Sequence, residues 1–191
     1  MDTTDSSSTP SVSLRRHGAA DTAPLIDTLS GIWADAHTGH DDVTEAGFTP
    51  QTLRRQITAH TRHDRFTLIM ASADGHDVGF AYGFACTPTY WFGEQLLPAI
   101  EPDARTTDSL AGICELAVRT NWQGRGIGTR LHDALLAALR TEWASLLAMP
   151  GDRPAQRLYH RLGYRYAGPY PAGPNGPVLD LLLLHSPPRA S

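Results

Sequence analysis

The chain has 191 residues, with 41% hydrophobic and 19% charged side chains. These are the proportions of one ordinary globular domain that can bury a core without disulfides or metals. No apolar run approaches a membrane span, and residues 1–13 lack the basic start and apolar stretch of a secretory signal, so no membrane partner and a cytoplasmic location are expected. A net charge of −4 without a basic cluster on one face argues against nucleic acid as a partner.

All 16 basic residues are arginine, so the chain offers no lysine side chain to modification. Cys86 and Cys114 lie in apolar runs with no CxxC pair. They read as small buried hydrophobes and signal neither a zinc nor a redox site.

Residues 1–10 are rich in Ser, Thr and Asp and read as a disordered tail. Residues 11–187 read as one domain. Alternation predicts a strand over 11–17. A helix follows over 21–37, with Leu25, Ile26, Leu29, Ile32 and Trp33 at helical spacing. Residues 37–48 read as a loop holding Asp41, Asp42 and Glu45. Thr49-Pro50 opens a second helix that runs to about Thr61. Strands are expected over 66–73 and 77–86, joined by a hairpin turn at Asp74-Gly75.

Residues 87–109 then form a long connection containing Tyr90, Trp91 and Phe92. An apolar strand over 111–118 is interrupted by Glu115. The turn over 122–128 feeds a helix marked by Ile127, Leu131, Leu135 and Leu139. A strand over 142–149, a short helix over 154–162 ended by Gly163, and strands over 164–167 and 178–185 complete the chain. The order is β-α-α-β-β-β-α-β-α-β-β. It implies an α/β (α+β) fold, a mixed sheet with helices on both faces.

The turn Gln123-Gly124-Arg125-Gly126-Ile127-Gly128 follows an apolar strand and opens a helix. Free N–H groups at such a helix start, with the helix dipole behind them, suit a phosphate or pyrophosphate. Glycine lets an anion approach the backbone. A dinucleotide fingerprint fails because Thr129 stands where its third glycine belongs. An ATP-type phosphate loop fails for want of any lysine.

Gln123-x-x-Gly126-x-Gly128 after a strand resembles the acetyl-CoA-binding motif of the GCN5-related N-acetyltransferase (GNAT) superfamily. A second block, Asp152-x-x-Ala155-x-x-x-Tyr159-x-x-x-Gly163-Tyr164, is similar to that family's later signature, with Asp152 where Asn is usual. The resemblance implies a central sheet that splays between the strand ending at Val118 and the strand over 143–149. It implies acetyl-CoA as the cofactor, its pantetheine arm paired with the backbone of Leu116, Ala117 and Val118. The pyrophosphate would rest on the amides of Gln123, Gly124, Arg125, Gly126, Ile127, Gly128 and Thr129, with Asp152 and Ala155 on the flanking helix. Arg125 and Arg130 stand near enough to reach phosphates.

The implied reaction is direct transfer of an acetyl group to a primary amine. An alkylammonium has a pKa of roughly 10, so attack needs a base. Glu115 is the candidate base, because a carboxylate inside an apolar strand is costly without a partner or a task. Alternation places it with Ile113 and Ala117. Tyr159 matches the family's general acid. Asp152 suits helix capping.

Asp41 and Asp42 could attract a cationic amine, and Tyr90 and Trp91 could cover its body. The expected acceptor is therefore a small-molecule amine. A protein N-terminus or lysine, and a non-catalytic acyl-CoA-binding sensor, are the alternatives. Dimers are common in the family, and the aromatics of 87–109 suit a homodimer interface as well as a pocket. His60 and His63 lack partner ligands in the sequence, so no metal site is expected.

Overall fold

The structure is a computed structural model, and it describes residues 11–151, 153–173 and 176–187. The expected tail over 1–10 and Asp152 lie outside the described residues.

Strand β1 (Val12–His17) is followed by a short helix α1 (Ala19–Thr22), a 3-10 turn at Ala23–Leu25 and α2 (Ile26–Ala36). The single helix expected over 21–37 is thus broken, because Pro24 in the 3-10 turn removes a backbone donor. The segment expected as loop at 37–48 contains a short helix α3 (Asp41–Glu45). Helix α4 (Pro50–His60) begins as expected, with Pro50 in its first turn and the Thr49 hydroxyl accepting from the Thr52 amide.

The hairpin β2 (Thr67–Ala73) and β3 (His76–Cys86) turns through Asp74 and Gly75, both at positive φ. The long connection after β3 is ordered as α5 (Pro88–Leu96), broken at Gly93 where φ is 71°, and α6 (Pro102–Thr106). Apolar side chains order it: Phe92, Ile100 and Ala104 are buried against Leu110, Trp143, Leu181 and Leu183.

Strand β4 (Leu110–Val118), α7 (Ile127–Leu139), β5 (Trp143–Ala148), α8 (Pro154–Arg161), β6 (Arg165–Pro171) and β7 (Val178–His185) complete the fold. β6 runs further than the sequence pattern implies, because its pairing with β7 carries through Gly168 to Pro171.

The seven strands form one sheet in the order β1-β2-β3-β4-β5-β7-β6. Only β4 and β5 pair in parallel; the other neighbours are antiparallel. One face is covered by α7 and α8, whose Ile127, Leu131, Leu135 and Tyr159 pack on Ala81, Ile113 and Leu146. The other is covered by α2 and α4, whose Leu29, Trp33, Leu53 and Ile57 pack on Leu68, Phe80 and Tyr82. Each helix buries one apolar stripe, as its 3.6-residue period requires.

Two features of β4 position everything that follows. The first is where its pairing with β5 ends. The parallel register runs from Leu110↔Trp143 to Ile113↔Leu146 and stops, while β4 continues to Val118 and β5 to Ala148. The sheet is therefore open beyond Ile113, and the β5-facing edge of Cys114–Val118 has no strand beside it.

The second is a bulge. Tyr82 faces Glu115 and Gly83 faces Ile113, so Cys114 is the extra residue. Ile113, Leu116 and Val118 then pack on the α7 face, whereas Cys114 and Ala117 pack on the α2 face. This corrects the alternation drawn from sequence: Glu115 shares a face with Ala117 but not with Ile113. Glycines make room for the bulge, since a Cβ on Gly83 would stand 2.3 Å from the Gly112 carbonyl oxygen.

Candidate active site

Glu115 lies at the open part of the sheet, on the α2 face, and is half-buried. Its Oε2 accepts a 3.1 Å hydrogen bond from Trp33 Nε1 of α2. Burial pushes its carboxyl up from 4.5 to about 7, while the Trp33 indole and the Leu116 amide pull the other way. The group therefore changes charge near neutral pH, where a base is most useful. Trp33 is itself stacked on His37, ring centroids 4.0 Å apart. The sequence pattern marked Trp33 only as a helix core residue; no local spacing links it to Glu115.

Tyr159 lies across the sheet from Glu115, on the α8 side, and is 8% exposed. Its ring meets Tyr164 edge to face at 5.7 Å. The hydroxyl has no hydrogen-bond partner among the described residues, and no fully buried side-chain oxygen or nitrogen among them is left unpartnered. The Tyr159 hydroxyl therefore reaches open space. Burial raises its pKa well above 10, with the nearby Glu115 charge adding to the shift. It stays protonated, and so able to donate, at any physiological pH.

The turn before α7 carries the third component. The Trp122 and Gln123 amides donate to Arg119 and Thr120, and the next bonded amide is that of Arg130, which donates to Gly126. The amides of Gly124, Arg125, Gly126, Ile127, Gly128 and Thr129 have no protein acceptor among the described residues, and no side chain caps α7. Gly124 and Gly126 hold φ of 72° and 75°, and a Cβ on either would meet only open space. Helix α7 points its dipole at this row of donors. The local geometry fits a pyrophosphate.

Gly128 faces inward, where a Cβ would come within 3.2 Å of Leu158 and 3.6 Å of Leu116. Ala155 is exposed on the first turn of α8.

Several side chains already have structural work. Gln123 Nε2 donates to the Val118 carbonyl at 2.9 Å and folds the turn back onto β4. Arg125 lies over the Trp122 ring at 4.8 Å. Arg130 donates to the Val12 carbonyl at 2.8 Å, which ties α7 to β1 instead of aiming the guanidinium at the turn. Asp35 of α2 accepts from the Thr120 amide at 2.8 Å and from Arg119 at 3.2 Å. The Thr120 amide is the main reason its carboxyl sits below the usual range. Asp35 thus locks the end of β4 to α2, a function the sequence alone did not reveal.

The residues expected on the acceptor side are not gathered in one place. Asp41 is exposed. Asp42 pairs with Arg153, just before α8, and that hydrogen bond holds its carboxyl below the usual range. Tyr90 is 58% exposed and its hydroxyl lies 3.0 Å from His63 Nε2. Trp91 is half-buried, its ring pressed against Gly112. His60 and His63 contact Tyr82, Phe84 and Tyr90. No group of three metal-ligating side chains occurs among the described residues, and no described helix is long and apolar enough to cross a membrane.

Known proteins share the sequence pattern and the fold. The GNAT acetyltransferase family model matches residues 32–164. A GCN5-like protein acetyltransferase of Mycobacterium tuberculosis is 35% identical over 98 residues, which cover 46% of this chain and 47% of that protein. The match thus spans about half the length of that relative.

Among solved structures, NAA60 of Arabidopsis thaliana with a bisubstrate analogue superposes with a TM-score of 0.61 at 18% identity, covering 95% of this chain and 100% of that one. The PaiA N-acetyltransferase of Thermoplasma acidophilum, in complex with coenzyme A, gives 0.57 at 12% identity over 92% and 99%. At such identities these two likenesses speak for the fold alone. With most of the sheet and both signature segments inside the matched region, the chain belongs to the acetyltransferase (GNAT) family, whose members are N-acetyltransferases.

Proposed function

We propose that the chain is an acetyl-CoA-dependent N-acetyltransferase acting on a primary amine of a small molecule. The observation that carries the reading is the opening of the sheet beyond Ile113, with a carboxyl on one face, a phenol on the other and a row of free amides at its end.

The residues divide the work as follows. The amides from Gly124 to Thr129 would hold the pyrophosphate, and the unpaired edge of Leu116–Val118 would hold the pantetheine arm as a neighbouring strand would. Bound acetyl-CoA supplies an acetyl group activated as a thioester. Glu115 takes a proton from the incoming ammonium at its carboxylate. Main-chain N–H groups of Leu116–Val118 polarise the acetyl carbonyl. The Tyr159 hydroxyl gives its proton to the departing sulfur.

The small acceptor is favoured by α3. Val43 of α3 packs with Trp33, Ala117 and Met149, and Asp42 is tied to Arg153. On this reading α3, held between α2, β4 and the residue before α8, borders the acceptor side, which suits a small amine. A second reading, acetylation of a protein N-terminus or lysine, is favoured by the likeness to a mycobacterial protein acetyltransferase.

Calorimetry with acetyl-CoA on the wild type and on Gly126→Glu tests the cofactor site. Micromolar binding that the new carboxylate abolishes supports the reading, and no binding by folded wild type overturns it. Thiol release with a panel of small amines and of peptides then separates the two acceptor readings. Cofactor binding without turnover on any amine would leave a non-catalytic sensor instead.

A further inference from the structure

The Tyr159 hydroxyl bonds nothing among the described residues, so the direction of its ring is set by what the ring rests on. The chain leaves α8, reverses at Gly163 with φ of 92° and brings Tyr164 against Tyr159. The Tyr164 amide donates to the Tyr159 carbonyl at 3.0 Å, and the two rings meet edge to face with centroids 5.7 Å apart. Tyr164 is buried and is held at its far end as well. Its hydroxyl lies 3.0 Å from Nε2 of His132, a residue of α7 that is 2% exposed. The other ring nitrogen, Nδ1, lies 3.1 Å from Oδ1 of the exposed Asp133.

These contacts fix every proton in the network. A carboxylate only accepts, so Nδ1 carries the imidazole proton and donates it to Asp133. Nε2 then holds a lone pair, and the Tyr164 hydroxyl donates to it. Burial brings the His132 imidazole below its ordinary pKa of 6.5 against the pull of Asp133, so the ring is neutral at pH 7 and keeps this tautomer. Burial likewise keeps the Tyr164 phenol protonated. Two apolar side chains would fill the same space at no desolvation cost, whereas the paired imidazole and phenol also hold one ring orientation. His132 stands on the helix whose first turn carries the free amides, about 7.5 Å along it from Ile127.

We propose that His132 and Tyr164 are positioning residues that hold the Tyr159 hydroxyl at a fixed distance from the amide row, an inference that rests on the acetyl-transfer reading above. On that reading the amide row anchors the cofactor at the start of α7. The His132–Tyr164 bond ties the ring of the acid to the same helix. The proton donor and the sulfur it serves are thereby registered on one rigid element, although Tyr159 itself belongs to α8.

The test is the double replacement His132→Leu with Tyr164→Phe, which removes both partners of the bond and leaves no buried group unpaired. The melting temperature stays close to that of wild type. kcat falls by about tenfold or more, and the Kd for acetyl-CoA is unchanged. In a Tyr159→Phe background the same two replacements lower kcat no further, because no hydroxyl is left to place. Wild-type kcat in the double replacement overturns the proposal. So does an equal loss in the Tyr159→Phe background, which would mark a general effect on packing.

NMR of the ligand-free protein decides the network without turnover. Nitrogen-15 spectra of His132 in wild type should show the proton on Nδ1 and an accepting Nε2. Three-bond couplings should show one χ1 rotamer for Tyr159 in wild type and averaging in Tyr164→Phe. A proton resident on Nε2, or a Tyr159 rotamer indifferent to the loss of the Tyr164 hydroxyl, overturns the positioning role even in a chain that acetylates nothing. A wild type that turns over no amine defeats the acetyl-transfer reading separately.

Discussion

Trp33 Nε1 donates to Glu115 Oε2 at 3.1 Å, joining two residues 82 positions apart in sequence. The bond fixes the carboxyl at the open edge of the sheet and partly offsets the effect of its burial. Trp33→Phe keeps the packing of α2 and removes the donor. The Glu115 pKa then rises further, so the acid limb of kcat/KM moves to higher pH. Activity at pH 7 falls several-fold and recovers towards pH 9, as a pH–rate profile would show.

The same burial ties stability to pH. Folding raises the Glu115 pKa from 4.5 to about 7. Stabilisation relative to the ionised group is therefore fully present below about 4.5 and is lost as pH rises through about 7. Glu115→Gln, which carries no charge, escapes that loss. Its stability advantage over wild type should be roughly 2 to 3 kcal/mol greater at pH 8 than at pH 4. Urea unfolding at the two pH values checks this, and equal gaps would mean that the carboxyl is not buried when charged.

Tyr159→Phe removes a hydroxyl that bonds nothing else among the described residues. The fold should lose little. On the proposed role kcat falls by about 10²-fold or more while acetyl-CoA affinity measured by calorimetry is unchanged. Unchanged turnover would remove Tyr159 from the chemistry.

Asp42 and Arg153 form an ion pair in which both side chains are partly exposed. Exposed pairs add little to stability. Asp42→Asn should leave the melting temperature nearly unmoved and change the KM for the amine several-fold, because it frees α3 from the residue that precedes α8. A large loss of stability would recast the pair as structural.

A Cβ on Gly112 would stand 2.3 Å from the Trp91 ring. Gly112→Ala should cost about 1–3 kcal/mol through overpacking. In the double variant with Trp91→Leu the two effects should fall short of their sum, since the smaller side chain makes room. Calorimetric melting of the single and double variants measures the coupling.

The seven strands and the glycine turn before α7 are legible because their signals are local: alternation, turn residues and glycines next to a helix start. Segment 87–109 reads as a connection because it has no periodic stripe. Its order comes from Phe92, Ile100 and Ala104 meeting strands distant in sequence. The face of Glu115 could not be read from alternation, since one extra residue in β4 shifts the phase. Gly83 and Gly112 were the available trace of that bulge. The acidic residues of 41–45 read as a charge lure, yet Asp42 is taken by an arginine 111 positions away. Trp33 enters only through its contact between α2 and β4, distant in sequence.

The short parallel register from Leu110 to Ile113 is the one seam between two groups of strands, β1 to β4 and β5 to β7. A sheet joined by so brief a zipper can unfold in two steps, because few main-chain bonds make one half wait for the other. An extended molecule lying along the unpaired edge of β4 would act as a splint across the seam. Hydrogen exchange should then slow together in β4 and in β5, on opposite sides of the break. The melting profile should sharpen as well as move upward. Occupancy would show in cooperativity before it shows in catalysis.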